Sequence, residues 1–199
     1  MKNRFILPIL AVCLAFPSAV FAHTRGAEAV GFLSGLKHPV SGLDHVLAMI
    51  AVGLWGAQLG APAVWLLPVT FPIVMAFGGM LGLIGVKLPG IEMCIALSAF
   101  ALGVAVFREA RPNLWVAALT VGFFAIFHGH AHGTELPPGS DGLLYSIGFV
   151  IATGALHATG IGIGVIHRWS AGRICLRAAG AIVAAAGIVF LWQAGRPHL

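Results

Sequence analysis

Residues 112–135 read PNLWVAALTVGFFAIFHGHAHGTE. From Pro112 to Phe127 no side chain ionises, and then His128, His130, His132 and Glu135 follow in quick succession. An apolar run of this length satisfies its own backbone groups in lipid only as a helix, and it approaches the roughly 20 residues needed to cross a hydrocarbon core about 30 Å thick. The stretch therefore predicts a membrane helix over about residues 112–130, with imidazoles gathered at one end.

Five other segments share that apolar length, at about residues 40–59, 62–86, 89–107, 142–166 and 174–194. Across the 199 residues, 59% are hydrophobic and 9% charged, and mean hydropathy is +1.00. Soluble domains carry about a quarter charged residues, so water is not the main solvent of this chain. The 27 glycines suit helices that approach closely in lipid. Pro62, Pro89 and Pro112 stand at predicted helix starts, where a missing N–H is harmless. Pro68 and Pro72 fall inside the second segment, where a kink is expected. The expected fold class is an all-α membrane protein, a six-transmembrane-helix bundle forming one domain.

The first 22 residues follow a separate logic. Lys2 and Arg4 make a basic start, residues 5–16 an apolar stretch, and Val20-Phe21-Ala22 a small-residue cleavage signal. A signal peptide over residues 1–22, cut before His23, leaves residues 23–199 as the transmembrane domain. Its two cysteines, Cys94 and Cys175, then fall near opposite faces, so no disulfide is expected.

The formal charge of +5 does not point to nucleic acid, because the basic residues sit in short loops and report topology. Arg108 and Arg111 follow the third segment, and Arg168, Arg173 and Arg177 surround the start of the sixth. The loop after the fourth segment has no Lys or Arg and holds Glu135 and Asp141. The arginines mark the cytoplasmic side, which gives a multi-pass protein of the bacterial inner membrane with a periplasmic mature N-terminus.

Ionisable groups within membrane segments line a pathway or a site more often than not. His38-Pro39-Val40-Ser41-Gly42-Leu43-Asp44-His45 opens the first segment, with Met49 one turn beyond. On one continuous helix His38, His45 and Met49 share a face, and Asp44 beside it adds negative charge. Imidazole with carboxylate suits Ni, Co, Zn or Cu, and a thioether shifts the preference toward copper or nickel; simple packing also accounts for Met49. In the fourth segment His128 and His132 are i,i+4 neighbours, and Glu135 lies one turn further if the helix continues. His130 points elsewhere. The topology puts both clusters in the outer half of the membrane.

Glu92, one turn into the third segment, is either part of that site or an interfacial carboxylate. His157 lies some 15 residues into the fifth segment, about 22 Å along the axis. It is nearer the cytoplasm than the rest, a relay or a satisfied core histidine. His23, as a new N-terminus, offers weak metal capture or is merely solvated. His167 and His198 look like ordinary interfacial and tail residues.

His38-Pro-x-x-Gly-x-Asp44-His45 followed by Phe127-His128-Gly-x-Ala-His132-Gly-x-Glu135 resembles the hydrogenase/urease accessory membrane proteins of the HupE/UreJ family. The resemblance covers nearly the whole chain. It implies nickel uptake for hydrogenase or urease assembly, with His38, Asp44, His45, His128, His132 and Glu135 as metal residues; the motif leaves the position of His130 open. The expected function is transport of nickel or cobalt, with the ion as cargo, no tightly bound cofactor and no enzymatic reaction. Expected partners are the divalent ion and lipid, with maturation machinery only indirectly and a homo-oligomer left open. An intramembrane zinc hydrolase is the alternative from another class, although His128-x-x-x-His132 lacks the glutamate of His-Glu-x-x-His. A non-conducting metal-binding accessory or sensor protein is the third.

Overall fold

The computed structural model describes residues 31–136 and 142–196. The signal peptide and its cleavage site, His23, Asp141 and His198 lie outside the described residues. Among the described residues every regular element is helical. They are α1 (Gly31–Ser41), α2 (Leu43–Leu59), α3 (Ala63–Leu83), α4 (Ile91–Phe107), α5 (Leu114–Thr134), α6 (Gly142–Gly164) with a 3-10 turn at Val165–Arg168, and α7 (Ser170–Ala194).

The six expected segments map onto these helices with one substantial correction. The first is not a continuous helix over 40–59: α1 and α2 meet at an 82° bend. Its cause lies in the sequence Pro39-Val40-Ser41-Gly42. Pro39 has no N–H to bond the turn before it, and Gly42 adopts extended backbone, with φ −103° and ψ 122°. A Cβ at Gly42 would also press on the Asp44 carboxylate, 2.8 Å from Oδ1. The prolines at 89 and 112 stand two residues ahead of their helices. Gly90 and Asn113 are the actual N-caps, and the Asn113 side chain accepts from the Val116 N–H at 2.9 Å.

By length and apolarity four helices can each cross a membrane: α3, α5, α6 with its 3-10 turn, and α7. The bent pair α1–α2 makes a fifth if taken as one span, and α4 is an apolar helix of 17 residues. α3 stays helical through Pro68 and Pro72. Cys94 and Cys175 are free thiols.

α2 is the central helix, since 11 of its 17 residues are buried, and a helix apolar all round belongs in a core. Its C-terminal end is fastened to α4 and the loop after it: Trp55 Nε1–H donates to the Ala110 carbonyl at 2.9 Å and Gln58 Nε2–H to the Val106 carbonyl at 3.1 Å. α3 runs along α5, α4 along α7, and α6 along both α1 and α2. The α3–α5 pair is seated through the glycines of the histidine-bearing helix. A Cβ on Gly129 would strike the Met75 carbonyl and one on Gly133 the Gly79 carbonyl, so both motif glycines are needed for the two backbones to meet. Large side chains such as Trp65, Ile73, Ile182 and Trp192 stay exposed on the outer surface, as a lipid-facing rim requires.

Candidate metal centre

α5 carries His128 and His132 one turn apart on a buried face, held there because Gly129 and Gly133 on the neighbouring face seat the helix against α3. α2 supplies His45 from its first turn. The three imidazoles converge. His45 Nε2 lies 2.9 Å from His128 Nδ1 and 2.6 Å from His132 Nε2. The side chains of His45, His128 and His132 are buried, with His128 fully so.

The outward nitrogens fix which lone pairs point inward. Ser98 Oγ–H, on α4, donates to the Ile95 carbonyl at 2.6 Å, so its oxygen can only accept from His128 Nε2–H, 2.8 Å away. His128 Nδ1 therefore presents a lone pair. On the other side, the Asp44 carboxylate lies 3.6 Å from His45 Nδ1, where its charge favours a proton on that nitrogen, and Asp44 accepts from the His45 backbone N–H at 2.8 Å. His45 Nε2 presents a lone pair as well. In these tautomers two acceptors confront each other at 2.9 Å, and a bound cation would satisfy both. Orientation of ligand imidazoles by a hydroxyl on one side and a carboxylate on the other is the arrangement found behind metal-bound histidines.

A second group adjoins the first. His38 Nε2–H donates to Glu135 Oε2 at 3.2 Å, and His38, His132 and Glu135 can each bring one ligand atom within 4.8 Å of the others. His132 belongs to both groups. Its ring packs against His38 at 4.6 Å between centroids and against Phe149 at 4.4 Å. His38 reaches this position because of the bend at Gly42, not because it shares a helical face with His45. α5 does continue to Thr134, with Glu135 as its C-cap, so Glu135 is carried to the site as expected.

Above the imidazoles opens a cavity of about 170 Å³ lined by His38, Asp44, His45, Glu92, His132 and Glu135, among others. Glu92 belongs to this mouth, so three carboxylates face the entrance.

The remaining candidates lie elsewhere. His130 is buried and bonded through Nε2 to the Val86 carbonyl, which ties α5 to the loop after α3. The Met49 side chain is part of the apolar core. His167 bonds the Gly164 carbonyl. His157 lies beyond Phe71, whose ring touches His128 at 5.4 Å on one side and His157 at 5.5 Å on the other. Ser98 and Phe71 are site residues that the sequence did not single out; each reads there as a packing residue in an apolar run.

The family model described as HupE / UreJ protein matches residues 10–190. Protein HupE of Rhizobium leguminosarum bv. viciae is similar to this chain, 49% identical over 191 residues that cover 96% of this chain and 99% of that protein. No solved structure matches the chain.

Proposed function

Because the chain belongs to the HupE/UreJ family, we propose that it is an inner-membrane permease for a divalent transition-metal cation, nickel or cobalt, feeding hydrogenase or urease maturation. The observation that carries this is the pair of opposed lone pairs on His45 Nε2 and His128 Nδ1, with His132 Nε2 beside them. Imidazole nitrogens select borderline divalent ions, whereas Mg²⁺ and Ca²⁺ want oxygen-rich shells. The carboxylates of Asp44, Glu92 and Glu135 would concentrate cations at the mouth.

Two adjoining ligand groups favour conduction over storage, since a permeating ion must be bound well enough to enter and loosely enough to leave. Six spans are the arrangement that suits this work, with α1–α2 as one broken span and the 17 residues of α4 reaching about 26 Å. Non-helical backbone at membrane depth is tolerated where it lines a cavity, as Gly42 does here. Orientation follows from charge. Arg108, Arg173 and Arg177 surround a cavity at the opposite end of α4 from Glu92, and this supports reading that end as cytoplasmic and the histidine end as periplasmic.

The test is nickel entry into sealed proteoliposomes holding a metal-sensitive dye. Filling by the wild-type protein, competed by cobalt and not by millimolar Mg²⁺, is the expected result. Tight nickel binding without filling would instead favour a non-conducting accessory or sensor. Lipid hydrolysis by zinc-loaded protein would favour the hydrolase.

A further inference from the structure

His157 and Thr153, on α6, are buried polar side chains that the outer cluster does not use. His157 is 1% exposed and Thr153 0%. His157 Nδ1–H donates to the Met49 carbonyl at 2.9 Å, which fixes the tautomer and leaves the lone pair on Nε2. That nitrogen has no partner, and neither has Thr153 Oγ1. Burying two such groups unpaired is unfavourable by about 1–3 kcal/mol each, so both are available to a ligand.

Among the described residues Thr153 differs from the helical hydroxyls that bond their own backbone, and shares its lack of a partner with the Tyr145 hydroxyl. Thr120, Ser146 and Thr159 each bond the carbonyl four residues back, Thr159 on the same helix. Thr153 does not, and its oxygen stays available. Being four residues apart, Thr153 and His157 lie one above the other on one face of α6. The same face continues upward through Phe149, which packs on His132, to Tyr145, which packs near His38. Tyr145, Phe149, Thr153 and His157 therefore make a file running down from the outer cluster. Phe71 separates His128 from His157 by a single ring.

We propose that His157 Nε2 and Thr153 Oγ1 form a second, inner station for the transported divalent cation, one aromatic ring below the outer cluster; this rests on the transport function proposed above. One imidazole and one hydroxyl make a weaker site than three imidazoles, as an exit step requires. The ion passes from His128 to His157 when the Phe71 ring moves aside.

Two measurements on the full chain test it. In nanodiscs, His38→Ala/His45→Ala/His128→Ala/His132→Ala protein, which lacks both outer ligand groups, should keep one weak Ni²⁺ site, and adding His157→Asn should weaken that residual binding at least tenfold. Asn places an amide N–H where Nδ1–H stood, so it retains the bond to Met49 and removes only the Nε2 lone pair. In the otherwise wild-type chain, His157→Asn should leave outer-site Ni²⁺ affinity within twofold and cut the initial rate of proteoliposome filling at least tenfold. Thr153→Val should slow filling several-fold, while Thr153→Ser should match wild type. Filling at the wild-type rate by His157→Asn, or residual binding indifferent to it, overturns the inner station. Wild-type protein that fills no vesicle but retains a His157-dependent site overturns transport and upholds the site.

Discussion

Ser98→Ala is the substitution that most directly probes how the outer cluster is held. The hydroxyl of Ser98 accepts from His128 Nε2–H at 2.8 Å in a place with no solvent, both side chains being 0% exposed. Without it, the imidazole can keep its tautomer and bury an unpaired N–H, or move its proton to Nδ1 and donate to His45 Nε2. The second choice is better for the empty protein, so stability should change little. Metal binding must then undo it, because the ion needs Nδ1 bare. The affinity loss equals the orphaned N–H, about 1–3 kcal/mol, or about 5- to 150-fold in Kd. Loss of a residue supporting a metal ligand commonly weakens binding by about 10- to 100-fold, in the same range. Ni²⁺ binding would be measured by titration calorimetry in nanodiscs, with Co²⁺ absorption reporting the number of nitrogen ligands. A Kd within twofold of wild type, at unchanged Co²⁺ spectrum, would refute the tautomer argument and with it the opposed lone pairs.

Asp44→Asn should lower nickel uptake at least tenfold, about 1.4 kcal/mol in the effective barrier, because it removes the charge facing His45 Nδ1 and the mouth; wild-type uptake in importer-deficient cells at matched protein levels would contradict this. His45→Ala and His132→Ala should each be as damaging, and the double variant should lose much less than the combined effect of the singles, since residues serving one ion are non-additive; full additivity in the same assay would mean two separate sites. Gly129→Ala should destabilise the protein by about 1–3 kcal/mol or more through overpacking against the Met75 carbonyl. Thermal unfolding in detergent checks it, with Gly154→Ala, which meets nothing within 4 Å, as the neutral control.

The helices were legible because hydropathy is a property of long windows, and most ends moved by only a few residues. His128, His132 and Glu135 were legible as a group because all three are spaced by single turns on one helix that continues past them. His38 was identified for an incorrect reason. Seven residues along a continuous helix would set it about 10 Å from His45 along the axis, whereas the bend at Gly42 folds it across onto His132. Pro39 and Gly42 carried that signal, outweighed by the apolar residues after them. Ser98 could not be found from sequence, since a serine in a membrane helix usually bonds its own helix, and this one does that too through the Ile95 carbonyl. Its second bond, to His128 on another helix, exists only once α4 and α5 are side by side. The glycines at 129 and 133 belong to the recognised motif, yet their reason is the α3 backbone, which no local pattern contains.

His132 stands in both ligand groups, with His45 and His128 on one hand and with His38 and Glu135 on the other. A neutral imidazole has one lone pair to give, so the ring can serve a single ion at any instant. Two ions cannot occupy the neighbouring groups with full coordination, and the newcomer at Glu135 must wait until the earlier ion has released the shared ring. In the proposed permease this ring would work as a turnstile: passage would be single-file, flux would saturate with one ion per protein at the outer end, and crowding at the mouth would not hurry it.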